Sequence, residues 1–192
     1  MSVAVDICNS ALIKLGAERI NSLNDDNKRA RLCQEQYSKV KNRLLRSHPW
    51  KFAIKRTKLS PVSETLEFGT HNVFLQPLDC IRIVGVMSDY DTRKYTSRWH
   101  KVEGRNIMYE LDSLNLKYIS KETPEAYFDE DFKEALACAL AQDLCYAITQ
   151  SNNMKSLLFE ECEFWVSQAR SHGSMEEFVD GLEFDDWQGG RP

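Results

Sequence analysis

Apolar positions recur at steps of three and four residues toward both ends of the chain, and at steps of two in its middle. Ala4, Cys8, Ala11, Leu12 and Leu15 share one stripe, with Ser2 placed to cap it and Gly16 to stop it, so the first 16 residues are predicted to be helical. A short connection carrying Ile20 and Leu23 follows. Asn24 or Asp25 then caps a second helix to about His48, whose stripe is Ala30, Cys33, Tyr37, Val40 and Leu44. Pro49 ends it, because the residue before a proline is pushed out of the α region.

The period changes after Trp50. Val73–Gln76, Cys80–Val86, Trp99–Glu103, Asn106–Glu110 and Leu114–Ser120 read as strands, with a tight hairpin at Gly104-Arg105. The alternation of Leu114-Asn115-Leu116-Lys117-Tyr118-Ile119 suits a sheet with one wet face. The polar stretch Ser88–Arg98, which includes Tyr90 and Tyr95, is expected to be a loop. Helix returns near Asp129. Phe132, Leu136, Ala139, Leu140, Leu144, Ala147 and Ile148 form one face, and small residues from Ala135 to Cys145 allow close helix contact. After Ser151-Asn152-Asn153 a fourth helix runs to about Ser171, with Leu158, Cys162, Trp165 and Ala169 inward.

The order is helix–helix, strands, helix–helix, tail, which predicts an α+β fold. Residues 1–56 and 124–172 are assigned to one four-helix bundle, 57–123 to an inserted antiparallel sheet of four to six strands, and 173–192 to an acidic docking tail.

Composition narrows the class. With 42% apolar and 28% charged residues in 192, a folded domain is expected rather than a disordered chain. No apolar run reaches the length of a bilayer span, and Met1–Asp6 lacks a basic segment followed by an apolar block, so neither membrane insertion nor a secretory signal is expected. Cys8, Cys33, Cys80, Cys138, Cys145 and Cys162 contain no Cys-x-x-Cys pair and read as reduced core thiols. Charge is segregated. Residues 25–58 hold eleven Lys/Arg against three acids, residues 124–172 hold three against nine, and the last twenty hold one against six.

Signatures of chemistry are missing. The chain has no phosphate loop, no Gly-x-Gly-x-x-Gly, no His-Glu-x-x-His and no Gly-x-Ser-x-Gly. His48, His71, His100 and His172 lie far apart, and none has zinc-ligand spacing, so no metal and no cofactor are assigned. The acids Asp129-Glu130-Asp131 fall at a helix start, where they complement the macrodipole, and Glu160-Glu161-Glu163 fall on a solvated helix face. The most suggestive segment is basic: Lys39, Lys41, Arg43, Arg46, Lys51, Lys55, Arg56 and Lys58 around His48-Pro49-Trp50. It reads as a solvated helix face, as a protein contact, or as cations on phosphate with Trp50 stacking on bases. Trp50 itself is expected to be a core anchor.

Several of these residues carry a likeness. Asn9-Ser10-Ala11-Leu12, Leu15-Gly16 and Ile20-Asn21-Ser22-Leu23 resemble the opening of tail tubular protein A, the head–tail adaptor family of short-tailed bacteriophages. The similarity continues through Ala30 and Tyr37 to Leu44-Leu45-Arg46-Ser47-His48-Pro49-Trp50-Lys51-Phe52-Ala53, its most specific stretch. Val102-Glu103-Gly104, Leu116-Lys117-Tyr118-Ile119, Phe132-Lys133-Glu134-Ala135-Leu136 and Leu140-Ala141 extend it over roughly residues 2–170.

The resemblance implies a structural virion protein with no catalytic residues. It implies a ring of twelve subunits that joins portal protein to tail nozzle protein and lines the channel for double-stranded DNA, which passes without sequence-specific contact. Its place would be the virion tail, after assembly in the host cytoplasm. The residues expected to bind partners are Arg43 and Arg46 on the basic helix, and Phe178, Leu182, Phe184 and Trp187 in the acidic tail. Acids around apolar anchors suit a groove with a basic rim, on the portal or on an adjacent subunit. Two other readings stay open: a virion-associated glycan hydrolase with a carboxylate pair, and a DNA-binding adaptor.

Overall fold

A computed structural model of the chain describes residues 2–62, 72–87, 100–110 and 112–175. Among them are helices α1 (Val3–Lys14), α2 (Lys28–Ser47), α3 (Glu130–Thr149) and α4 (Asn152–Met175). Between α2 and α3 run strands β1 (Ile54–Leu59), β2 (Asn72–Leu75), β3 (Cys80–Met87), β4 (Lys101–Glu103), β5 (Asn106–Tyr109) and β6 (Leu114–Ser120). The fold is α+β, as the change of period predicts.

The α2 stripe of Ala30, Cys33, Tyr37, Val40 and Leu44 is buried at every position. Its cap differs from the expectation. Asn27 caps the helix, accepting from the Ala30 amide at 2.8 Å, because Asp25 is already engaged by the Asn21 and Ser22 amides of the preceding turn. Ser2 stands at the N-cap of α1 without a side-chain cap bond. Gly16 adopts φ +67° and reverses the chain after α1, a conformation that costs other residues strain. The connection that follows is clasped by Asn9. Its side chain donates to the Ile20 carbonyl at 3.0 Å and accepts from the Ile20 amide at 2.8 Å, all within the core. Two buried backbone groups outside regular structure are thereby satisfied.

Helix α3 packs against α1, α2 and α4. Its small residues Ala135, Ala137, Cys138, Ala139, Ala141 and Cys145 are buried, which allows this crowding. Residues from all four helices share one hydrophobic cluster, to which α4 contributes Leu158, Cys162, Val166 and Ala169. Helix α4 passes its expected end at Ser171 and continues through Gly173 to Met175.

The strands form two three-stranded antiparallel sheets rather than one sheet, in the orders β1-β6-β3 and β2-β5-β4. Central β6 explains the layering. Leu114, Leu116 and Tyr118 point into a second cluster with Phe74, Ile107 and Tyr109 of the other sheet, while Ile119 turns back into the helical cluster. Irregularities of pairing in β3 let Ile81 and Val84 face the helices while Ile83 and Val86 face the second sheet. The β4–β5 hairpin turns at Gly104, with φ +62°, as its sequence predicts. The loop expected at Ser88–Arg98 lies outside the described residues, as does residue 99 of the expected strand Trp99–Glu103.

Trp50 joins the two halves. It is buried, its indole Nε1 donates to the Leu44 carbonyl at 2.9 Å, and its ring meets Phe132 edge-on at 4.9 Å. Phe52 and Phe128 complete the group, each within 5.2 Å of a neighbouring ring centroid. All six cysteines are free thiols, and five are buried. Cys80 departs from the core expectation by being only partly buried.

Candidate interaction surface

Three cations of the basic segment are paired with acids within the fold. Lys41 pairs with Glu125 at 3.3 Å, Arg43 with Asp143 at 3.0 Å and Lys55 with Asp79 at 2.8 Å. Trp50 is packed away from solvent, so the reading in which it stacks on nucleic-acid bases is ruled out. Lys39, Arg46, Arg56 and Lys58 are exposed along the segment.

Its outward part is a groove of about 800 Å³ where α2 meets β3 and the β4–β5 hairpin. Arg43 and Arg46 line it from the helix and Arg82 from the strand; Ile81, Ile83 and Val102 supply apolar surface, and no acid is among the described residues that line it. Helical spacing makes Arg43 and Arg46 neighbours on α2, Arg43 at the flank of the buried stripe and Arg46 away from it. Two further bonds fix the rim: Arg46 Nη1 donates to the Ile81 carbonyl at 2.6 Å, and Arg82 Nη1 donates to the Arg46 carbonyl at 3.1 Å. Helix end and strand are thus cross-tied, and both guanidinium groups stay exposed. The structure therefore brings Arg43 and Arg46 together at one groove. Sequence reasoning missed Arg82, whose place in the alternating Cys80-Ile81-Arg82-Ile83 was the available signal. Phe178, Leu182, Phe184 and Trp187 lie outside the described residues.

The acidic clusters find local uses. Asp129 stands at the N-cap of α3, Glu130 pairs with Lys133 at 2.6 Å and Asp131 with His172 at 2.5 Å. Glu161, expected on a solvated face, instead meets Lys14. The Lys14 ammonium sits 2.6 Å from both Glu134 and Glu161. Burial alone would lower the pKa of Lys14, but its bonds to Glu134 and Glu161 outweigh that and raise it. Glu134, Cys138 and Glu161 are the described group able to present three metal-ligand atoms close together, and Lys14 already supplies their positive charge. Burial pushes the Cys138 thiol up to about 12.

A second polar node closes the sheet. Asp79 accepts from Ser120 Oγ at 2.7 Å, from Lys55 Nζ at 2.8 Å and from Tyr118 OH at 3.2 Å. Burial would raise its pKa, but these donors hold the carboxyl below the usual range. Tyr118 is pushed up to about 12 by burial and by Asp79 beside it. Asp79 is acceptor to three partners in the folded chain, the arrangement of a structural tie.

No family model matches the chain, and no curated protein matches it. Among the described residues, no helix is long and apolar enough to cross a membrane.

Proposed function

We propose that this protein is a structural head–tail adaptor of a short-tailed phage: one subunit of a ring that joins portal to nozzle in the virion tail. The observation that carries the reading is the separation of two unlike outward surfaces on one helical body. Helix α2 exposes Lys28, Arg31, Lys39 and Arg46, while α4 exposes Glu160 among Leu157, Phe159 and Phe164; Arg43 and Glu163 line one cleft where α2, α3 and α4 meet. Unlike, complementary surfaces are what a heterologous ring contact needs, since each subunit meets its neighbour through two different patches. The four helices act in this reading as a single bundle that carries both patches, and the acidic tail of 173–192 is its docking segment. The residues that carry the adaptor likeness also fall at load points of the fold: Asn9 and Ile20 at the clasp, Trp50 and Phe132 at the junction. Twelve copies would close the ring. Weak, non-specific contact with double-stranded DNA in transit agrees with an acidic chain in which Lys41, Arg43 and Lys55 of the basic segment are paired internally.

Light scattering of the purified chain, alone and with the portal protein of the same phage, tests this. The adaptor reading expects a complex whose mass adds a ring of about twelve chains to the portal. A chain that stays apart from the portal at every ratio and salt concentration would contradict it.

A further inference from the structure

The groove of α2, β3 and the β4–β5 hairpin combines a rim of three arginines with an apolar floor. Val102, on that floor, is 44% exposed. Arg46 and Arg82 are held by backbone carbonyls, so their charge is positioned yet not cancelled by those bonds. Such a surface suits a segment that is both acidic and apolar; a phosphate backbone would answer the arginines but not Ile81, Ile83 and Val102.

The chain contains one such segment. Residues 176–192 hold six acids and a single Arg191, interleaved with Phe178, Leu182, Phe184 and Trp187. Its starting point is near the groove. Arg43 borders both the groove and a cleft of about 340 Å³ that Val166 and Arg170 of α4 also line, and α4 ends five residues later at Met175. Extended at about 3.3 Å per residue, the 17 residues that follow reach about 56 Å. We propose that residues 176–187 of the same chain dock in this groove in the free subunit, acids against the arginine rim and aromatics on the apolar floor. Tethering favours this occupant, because attachment to the same chain gives an effective concentration of about millimolar. The proposal rests on charge and reach and does not depend on the adaptor reading.

Cys80 lines the groove and is partly exposed, whereas the other five thiols are buried, so it is a built-in reporter. In the full chain, Phe178→Cys, Leu182→Cys, Phe184→Cys and Trp187→Cys are made singly, with Gly190→Cys as control. Each is oxidised mildly and resolved by mass without reductant. The expected result is a disulfide within one chain, formed at least about tenfold faster than the control at one or more of the four positions. Raising salt from low to about 1 M, where screening acts within about 3 Å, should slow that reaction several-fold. Arg82→Glu should do the same, and the salt series needs no variant that has to fold. Rates equal to the control at all four positions would overturn the proposal, as would crosslinks only between two chains or a rate indifferent to salt. So would a DNA duplex that shields Cys80 from alkylation while no tail position crosslinks.

Discussion

The last turns of α2 border two regions of opposite character. On one side Leu44 and Leu45 lead into Trp50, Phe52, Phe128 and Phe132, an aromatic junction where the buried indole N–H is satisfied by the Leu44 carbonyl. On the other side Arg43 and Arg46 open onto a wide groove with one guanidinium tied to a backbone carbonyl. In the proposed reading, the same few residues of chain serve stability on one face and recognition on the other. Apolar area removed from water holds a fold together, whereas an exposed charge contributes little to stability and is available to a partner.

Substitutions on the two sides should separate accordingly. Trp50→Ala has the largest expected effect, a loss of about 3–5 kcal/mol in denaturant titration, because it empties the junction and leaves the Leu44 carbonyl with the Ser47 hydroxyl in place of two side-chain donors. Asn9→Leu keeps the volume but strands the Ile20 amide and carbonyl, and should cost about 2–3 kcal/mol by the same measurement.

Asp79→Asn should cost about 1–2 kcal/mol near neutral pH, through weaker bonds to Lys55, Ser120 and Tyr118. Its pH dependence follows from the depressed carboxyl. Stability from such a group is present above its unfolded pKa and is lost as pH falls through the lower folded value. The gap between wild type and Asp79→Asn should therefore be full at neutral pH and close under strong acid; a gap that widens on acidification would break the account. The smallest stability effect belongs to Arg43→Glu with Arg46→Glu. Arg43 is paired to an acid at the surface and the Arg46 bond to the Ile81 carbonyl is solvent-exposed, so the pair should shift unfolding by no more than about 1 kcal/mol.

The aromatic side was legible in the sequence and the open side only in part. A stripe of Ala30, Cys33, Tyr37, Val40 and Leu44 fixes which face of α2 is buried, and Pro49 fixes where it ends. The expected burial of Trp50 follows from its apolar neighbours. Strand β1 was not foreseen as it stands, because Ile54-Lys55-Arg56-Thr57-Lys58-Leu59 reads as a run of charge. It is an edge strand, where lysines and arginines block further pairing, and it finds its partner in β6 some sixty residues on, as in Ile54 opposite Ile119. Long-range pairing of that kind decides whether six strands make one sheet or two, and local alternation does not contain it. The groove has the same origin. Arg43 and Arg46 could be named from charge alone, but Arg82, Ile83 and Val102 join them only once β3 and the hairpin are docked on the helix end.

The account's central claim is that this groove serves binding and not stability. The most direct measurement is the mass of the full chain carrying Arg43→Glu and Arg46→Glu, alone and with the portal protein, beside its melting curve. The account predicts a melting temperature close to wild type together with loss of ring or portal association. A variant that melts like wild type and still assembles to wild-type mass would contradict it.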